Sequence, residues 1–239
     1  FHSLYSEQSG AYVEQLSADI YGLDEQSFIE SWNALLVNHT VLRSGFFADA
    51  LPIAVQCVFK HSEIPIQKVD YSRYDEAQQE ESLEQYLKQD REQGFDFTRA
   101  PLMRLTLINY GKGKTKMIWT SHHILFDGWS LPILMEELLE TYQRISEGEK
   151  PETKAVDTYE DYIRYLENSD TQAAENYWRE YIKPLEESTL LPFVANSKSR
   201  NMGEGEYDHV GIELDTTQSS VIQNYCRQNH ITVNTLMQG

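Results

Sequence analysis

With 239 residues, 40% of them hydrophobic and 12% aromatic, the chain is long enough to bury one large core or two lobes, which excludes wholesale disorder. The 20 Lys and Arg against 38 Asp and Glu leave a formal charge of -18, which repels phosphate backbones and anionic lipid surfaces, so neither nucleic acid nor a membrane is an expected partner. Only Cys57 and Cys226 occur, far apart and outside any metal-binding spacing, and both read as core thiols of a cytoplasmic protein. No apolar run approaches the roughly 20 residues of a membrane-spanning helix, and no basic stretch followed by an apolar core supports secretion. Phe1 stands where Met is usual, and Gly239 interrupts an apolar run that opens an element at Ile231, so both ends read as cut.

Tyr12 to Tyr21 alternates polar and apolar residues, which predicts a strand punctuated by Gly22. Asp24 is placed to cap a helix whose apolar face, Phe28, Trp32, Leu35 and Leu36, runs to about Asn38. Leu42 to Phe47 and Ile53 to Phe59 are strand candidates. Asp75 to Gln93 is a charged helix with a narrow buried stripe of Leu83, Tyr86 and Leu87, and its charge run reads as a solvated face. Leu102 to Asn109 and Lys116 to Thr120, joined by Tyr110-Gly-Lys-Gly-Lys, form a predicted hairpin. Leu134, Leu138 and Tyr142 predict an amphipathic helix over Leu131 to Ser146, starting near Pro132. Helices follow near Thr158 to Asn168 and Thr171 to Glu187. The polar stretch Ala195 to Gly205 reads as a linker, after which Tyr207 to Leu214 is a strand candidate and Thr216 to Asn229 a helix. This divides the chain into a first lobe, 1–194, a linker, 195–205, and the start of a second lobe, 206–239.

Strand, tight turn and helix therefore surround Ser121-His-His-Ile-Leu-Phe-Asp-Gly-Trp-Ser130, which gathers two histidines, a carboxylate, a glycine and a hydroxyl where side chains reach clefts. Neighbouring strand residues face opposite sides, so His122 and His123 do not share a target: one packs inward and the other reaches a cavity. The same divergence counts against a metal held by His122, His123 and Asp127, for which no third ligand direction is available. Asp127 is either an orienting partner of His123, as in a triad, or a structural group. By itself the doublet favours two structural histidines over a catalytic one.

His-His-x-x-x-Asp-Gly resembles the signature of acyltransferases with the chloramphenicol acetyltransferase fold. Three further elements narrow the resemblance to condensation domains of nonribosomal peptide synthetases. Asn38-His-Thr-Val-Leu-Arg-Ser-Gly-Phe46 is similar to their RHxxLRxxF element, with Asn38 in place of the usual arginine. Phe95-Asp-Phe-Thr-Arg-Ala-Pro-Leu-Met-Arg104 is similar to FDLxxxPLxR, and Tyr159-Glu-Asp-Tyr162 to YxDF. The four stand in the family's order, and the resemblance runs from Phe1 to Gly239.

The resemblance implies an α/β fold, an α+β sandwich forming one chloramphenicol acetyltransferase-like lobe, with the beginning of a second. It implies peptide-bond formation between thioesters on an upstream and a downstream peptidyl carrier protein. Phosphopantetheine arms of those carriers deliver the substrates, with no cofactor bound directly, and adjacent synthetase domains and the rest of the second lobe are the other expected partners. His123 is the expected catalytic residue, taking a proton from the attacking amine or orienting it. His122, Asp127, Gly128 and Arg43 are supporting residues, with Asp127 expected to form a buried pair with Arg43 and the Gly128 N–H to hold a substrate carbonyl. Trp129 reads first as packing, and with Ser130 is a possible substrate contact. Ser130 either caps the next helix or donates to the site. Tyr5, Trp119, Trp178 and the Tyr159 to Tyr165 region read as core or surface aromatics.

Phe1-His-Ser-Leu-Tyr5 and the His122 to Leu134 stretch resemble the subtype that takes a D-configured donor. The alternatives are an epimerisation domain of the same fold, in which Trp follows Ser whereas here Trp129 precedes Ser130, and a non-catalytic carrier-docking module. The family's later motifs are absent, so the chain in isolation is expected to be inactive.

Overall fold

The computed structural model describes residues 12–48, 53–153, 159–185 and 211–238. The chain divides into two units, Phe1–Lys198 and Ser199–Gly239. In the first, the elements are β1 (Val13–Tyr21), α1 (Glu25–Asn38), a 3-10 turn (Thr40–Arg43), β2 (Ser44–Phe47), β3 (Val55–Val58), β4 (Ile66–Asp70), α2 (Glu76–Gln93), β5 (Met103–Gly111), β6 (Lys114–His122), α3 (Ser130–Ser146), α4 (Tyr159–Glu167) and α5 (Thr171–Ile182).

A four-stranded sheet in the order β1-β6-β5-β4 organises this unit. The β5–β6 hairpin closes on Lys112 and Gly113, whose φ of 52 and 75 give the turn that matches strand twist. β1 pairs antiparallel along the whole of β6, with Val13 opposite His122 and Glu14 opposite Ser121. β4 runs parallel to β5, Ile66 opposite Leu105. The sequence reading misses β4, because Gln67 and Lys68 break its apolar pattern and Pro65 precedes it; it forms as an edge strand whose pairing with β5 is decided elsewhere in the chain.

Strand alternation sends the sheet's two faces to different partners. Leu105, Leu107, Met117 and Trp119 share one cluster with Phe28, Trp32, Leu35 and Leu36 of α1 and Leu134 and Leu138 of α3, and the Trp32 and Trp119 rings lie 4.8 Å apart. Ile108 and Ile118 point the other way, to the stripe of Leu83, Tyr86 and Leu87 on α2. The sheet is thus a middle layer between α1 with α3 and α2, as an α+β sandwich requires. Asp24 caps α1 as expected, accepting from the N–H groups of Gln26 and Ser27, and Asp75 caps α2 in a capping box with Gln78.

Several sequence expectations need correction. Leu42 to Phe47 is not one strand: Thr40–Arg43 is a 3-10 turn and only Ser44–Phe47 is extended. Cys57 is exposed, because β2 and β3 form a separate two-stranded sheet with an open face, whereas Cys226 is buried. The helix expected over Leu131 to Ser146 is present as α3, starting at Ser130, where the Asp127 carboxylate receives the Ser130 N–H. Trp119 is core, while the aromatic residues of α4 and α5, Trp178 included, are all exposed.

In the second unit, α6 (Thr216–Gln228) begins with an Asp215–Gln218 capping box, and α7 (Val233–Gln238) follows. Of the strand expected over Tyr207 to Leu214, residues 211–214 are described and are not a strand; no strand among this unit's described residues offers them a partner. The rest of that strand, the expected linker 195–205, Tyr5 and residues 186–187 lie outside the described residues. The helix expected to reach Glu187 ends at Ile182, and residues 183–185 are described and not helical.

Candidate active site

The end of β6 carries the histidines, and period-two alternation separates them as expected. His122 is buried, 6% exposed, on the α2 side of the sheet. Its N–H donates to Leu102 O at 3.0 Å and its Nδ1 accepts the Ile124 N–H at 3.1 Å. The ring meets Phe97 edge-on at 4.7 Å between centroids, with Phe95 at 6.4 Å and Tyr12 at 6.2 Å. Burial among these rings, and secondarily the charge on His123 when that residue is protonated, lower its pKa from 6.5 to about 4, so it is neutral at pH 7.

His123 leaves the sheet on the other side. Its N–H donates to Tyr12 O at 2.9 Å, continuing the β1–β6 ladder one bond past Val13 and His122. Its side chain is 41% exposed, and Nδ1 lies 3.3 Å from Oε1 of Glu14. The following turn is anchored inward by Leu125 and by Phe126, which stacks on Trp119 at 5.4 Å, while Asp127, Gly128 and Trp129 face outward. The turn therefore holds one imidazole as part of the core and offers the other to solvent.

Asp127 serves this turn in a different way from the expected pair with Arg43. Its Oδ1 accepts from the Trp129 N–H at 3.1 Å, the Ser130 N–H at 3.0 Å and Ser130 Oγ at 2.9 Å. These bonds hold its carboxyl below the usual range, with the Ser130 hydroxyl the largest contribution. Arg43 donates instead through Nε to Leu36 O at 3.0 Å and through Nη1 to Phe59 O at 2.5 Å. The pairing expectation fails because each group is satisfied nearby: the carboxylate by the start of α3, the guanidinium by two carbonyls that only the tertiary fold brings to it. Ser130 is accordingly not the cap of α3 but the first helical residue, capped by Asp127. Gly128 does not have positive φ, and a Cβ there would meet nothing within 4 Å, so space lies open beside its backbone. Trp129 is 87% exposed and packs on nothing in the core.

Two sequence elements far apart in the chain meet behind His122. Phe46 N–H donates to Phe97 O at 2.7 Å, and a Cβ on Gly45 would lie 3.2 Å from that same carbonyl, so the Asn38 to Phe46 and Phe95 to Arg104 stretches touch. Arg104, under the Phe95 ring, pairs with buried Asp90 at 2.5 Å, and Asp90 also accepts from Thr120 Oγ1 and Gln15 Nε2 at 2.6 Å each, tying α2 to the strands that lead to the site. At the far end of α1, Asn38 Nδ2 and His39 Nε2 both meet buried Glu137 of α3, at 3.2 and 2.8 Å. Sequence reasoning missed Glu14, Asp90 and Glu137: each acts across long stretches of chain, where local spacing carries no signal.

The condensation-domain family matches residues 1–239. The chain belongs to the condensation-domain family. It is 35% identical to one of the linear gramicidin synthase proteins of Brevibacillus parabrevis and 32% identical to bacitracin synthase 1 from Bacillus licheniformis, over its entire length in both cases. It spans 3% and 4% of those proteins, respectively. Among solved structures, the starter condensation domain of rhizomide synthetase RzmA superposes with a TM-score of 0.66 at 17% identity, covering 78% of this chain and 46% of that one. The first condensation domain of the calcium-dependent antibiotic synthetase, in complex with a substrate analogue, gives 0.61 at 19%, covering 76% and 44%. The lobe described above is thus the chloramphenicol acetyltransferase-like fold of a nonribosomal peptide synthetase condensation domain. No helix among the described residues is long and apolar enough to cross a membrane.

Proposed function

We propose that this condensation domain forms peptide bonds between substrates held as thioesters on two peptidyl carrier proteins, with His123 as the catalytic residue. The observation that carries the reading is the division of labour in the doublet: His122 is neutral and enclosed by Phe95, Phe97 and Tyr12, whereas His123 leaves the other face of the strand and is exposed. The acceptor amine attacks the donor thioester carbonyl, His123 takes or orients the proton the amine sheds, the tetrahedral oxyanion collapses, and the C–S bond breaks to release the donor arm's thiol. In this reading the Gly128 N–H receives the carbonyl oxygen as charge develops on it, a role supported by the open space beside its backbone. An α-amino group has a pKa near 8, so roughly a tenth is neutral at pH 7 without any base. Positioning two reactants contributes up to roughly 7 to 11 kcal/mol, more than the 10²- to 10⁴-fold of a general base, so His123 acts as much by holding the amine as by its basicity.

The phosphopantetheine arms of the carriers, adjacent synthetase domains and the remainder of a second lobe, opened by residues 206–239 after a linker at 195–205, complete the proposed assembly. In the full domain, His123→Ala abolishes dipeptidyl-carrier formation, read by intact mass of both loaded carriers, with the melting temperature unchanged. Product at the unsubstituted rate would overturn the assignment. Competing D- and L-aminoacyl donors on one carrier test the D-donor subtype, which preference for the L-donor would refute. The 239-residue chain mixed with the same carriers yields no dipeptide if the site needs a facing wall; turnover equal to the full domain would place the chemistry in the first lobe.

A further inference from the structure

A histidine that accepts a proton at one ring nitrogen needs the other nitrogen held in the N–H form. Asp127 is the obvious carboxylate by sequence, but its oxygen is occupied by Trp129 and Ser130 at the start of α3. The carboxylate that does approach His123 comes from β1. Glu14 pairs with Ser121 in the antiparallel register, so its side chain shares the face of Ser121 and, two residues on, of His123. The small Ser121 side chain leaves the way clear, and Oε1 of Glu14 reaches 3.3 Å from His123 Nδ1. The bond from His123 N to Tyr12 O locks the two strands in this register, so the pair cannot slide apart.

We infer that Glu14 is a positioning residue for His123: it accepts the Nδ1–H and so keeps Nε2 unprotonated and directed at the acceptor amine. The inference rests on the proposed role of His123. At 3.3 Å the two groups are in contact without an aligned hydrogen bond, the geometry expected before substrate closes the site, and rotation of the exposed carboxylate aligns it. Among the described residues no other group contacts the His123 ring within hydrogen-bond or ion-pair distance, which leaves Nε2 open. The carboxylate within reach of the acting imidazole is thus supplied by the neighbouring strand and not by the turn that follows the histidines.

The test reads the tautomer directly. In the full domain carrying ¹⁵N-histidine, with the His123 signals assigned by their loss in His123→Gln, the neutral form of the ring shows Nδ1–H and a bare Nε2. Glu14→Ala shifts His123 towards Nε2–H, while Glu14→Gln, which keeps an acceptor oxygen, retains Nδ1–H. In the condensation assay Glu14→Ala lowers kcat about 10- to 100-fold with KM for both carriers unchanged, and Glu14→Gln recovers most of the loss. Both variants keep the melting temperature, because Glu14 is exposed. A wild-type ring already in the Nε2–H form, or one unmoved by Glu14→Ala, overturns the inference. Because the tautomer is read without turnover, a tautomer that responds in a domain whose His123→Ala variant still condenses would sink the function of His123 and leave the Glu14 contact standing.

Discussion

Acidification should unlock the turn at the end of β6 through His122, and the effect can be isolated. The buried ring has a pKa of about 4 against 6.5 when unfolded. The folded state therefore resists a proton that the unfolded chain takes up readily, so this residue's contribution to stability is complete above about pH 6.5 and is lost as the pH falls towards 4. The difference in pKa corresponds to at most about 3 kcal/mol, and between pH 7 and pH 4.5 the loss is about 2 to 3 kcal/mol. There is a local cause for the damage: Nδ1 accepts the Ile124 N–H, and a proton on that nitrogen ends the bond that shapes the turn carrying His123. His122→Phe removes the titration while filling the space beside Phe97, at the fixed cost of stranding the Ile124 N–H, about 1 to 3 kcal/mol. Urea unfolding is followed by the fluorescence of buried Trp32 and Trp119, both in this unit's core. Wild type is the more stable at pH 7, and its advantage shrinks by about 2 to 3 kcal/mol at pH 4.5. Taking the difference between the two proteins cancels the carboxylates common to both. An advantage that is the same at both pH values would refute the neutral, enclosed state of His122.

Three further outcomes follow from the same geometry. Arg104→Ala strands the carboxylate of buried Asp90 and costs about 3 to 5 kcal/mol by chemical denaturation, with strong coupling in a double-mutant cycle with Asp90→Ala. Arg43 and Asp127, by contrast, show no coupling in such a cycle, and Asp127→Asn, which keeps a capping oxygen, melts close to wild type while Asp127→Ala melts lower. Gly45→Ala costs about 1 to 3 kcal/mol, because its Cβ would sit 2.9 Å from the Phe59 ring and 3.2 Å from Phe97 O, whereas Gly128→Ala leaves the melting temperature unchanged and slows condensation by crowding the open space beside the turn.

Much of this lobe is written locally. The apolar face of α1, the Asp24 and Asp75 caps, the flexible turn at Lys112 and Gly113 and the alternation of β6 all depend on residues within a few positions of one another, so their spacing in the sequence is enough to place them. The opposite directions of His122 and His123 belong to the same class, since two neighbours on a strand have no other choice. What tertiary structure alone decided is which distant groups meet. β4 is a strand only because β5 presents an edge to it, and Arg43 abandons Asp127 because the carbonyls of Leu36 and Phe59 reach it first. The carboxylate beside His123 is Glu14, from the first strand of the lobe, and not Asp127 four residues on, because the β1–β6 register brings the first close while the start of α3 holds the second. Hydrogen-bond partners are allotted by proximity in the folded state, and a sequence records proximity only along the chain.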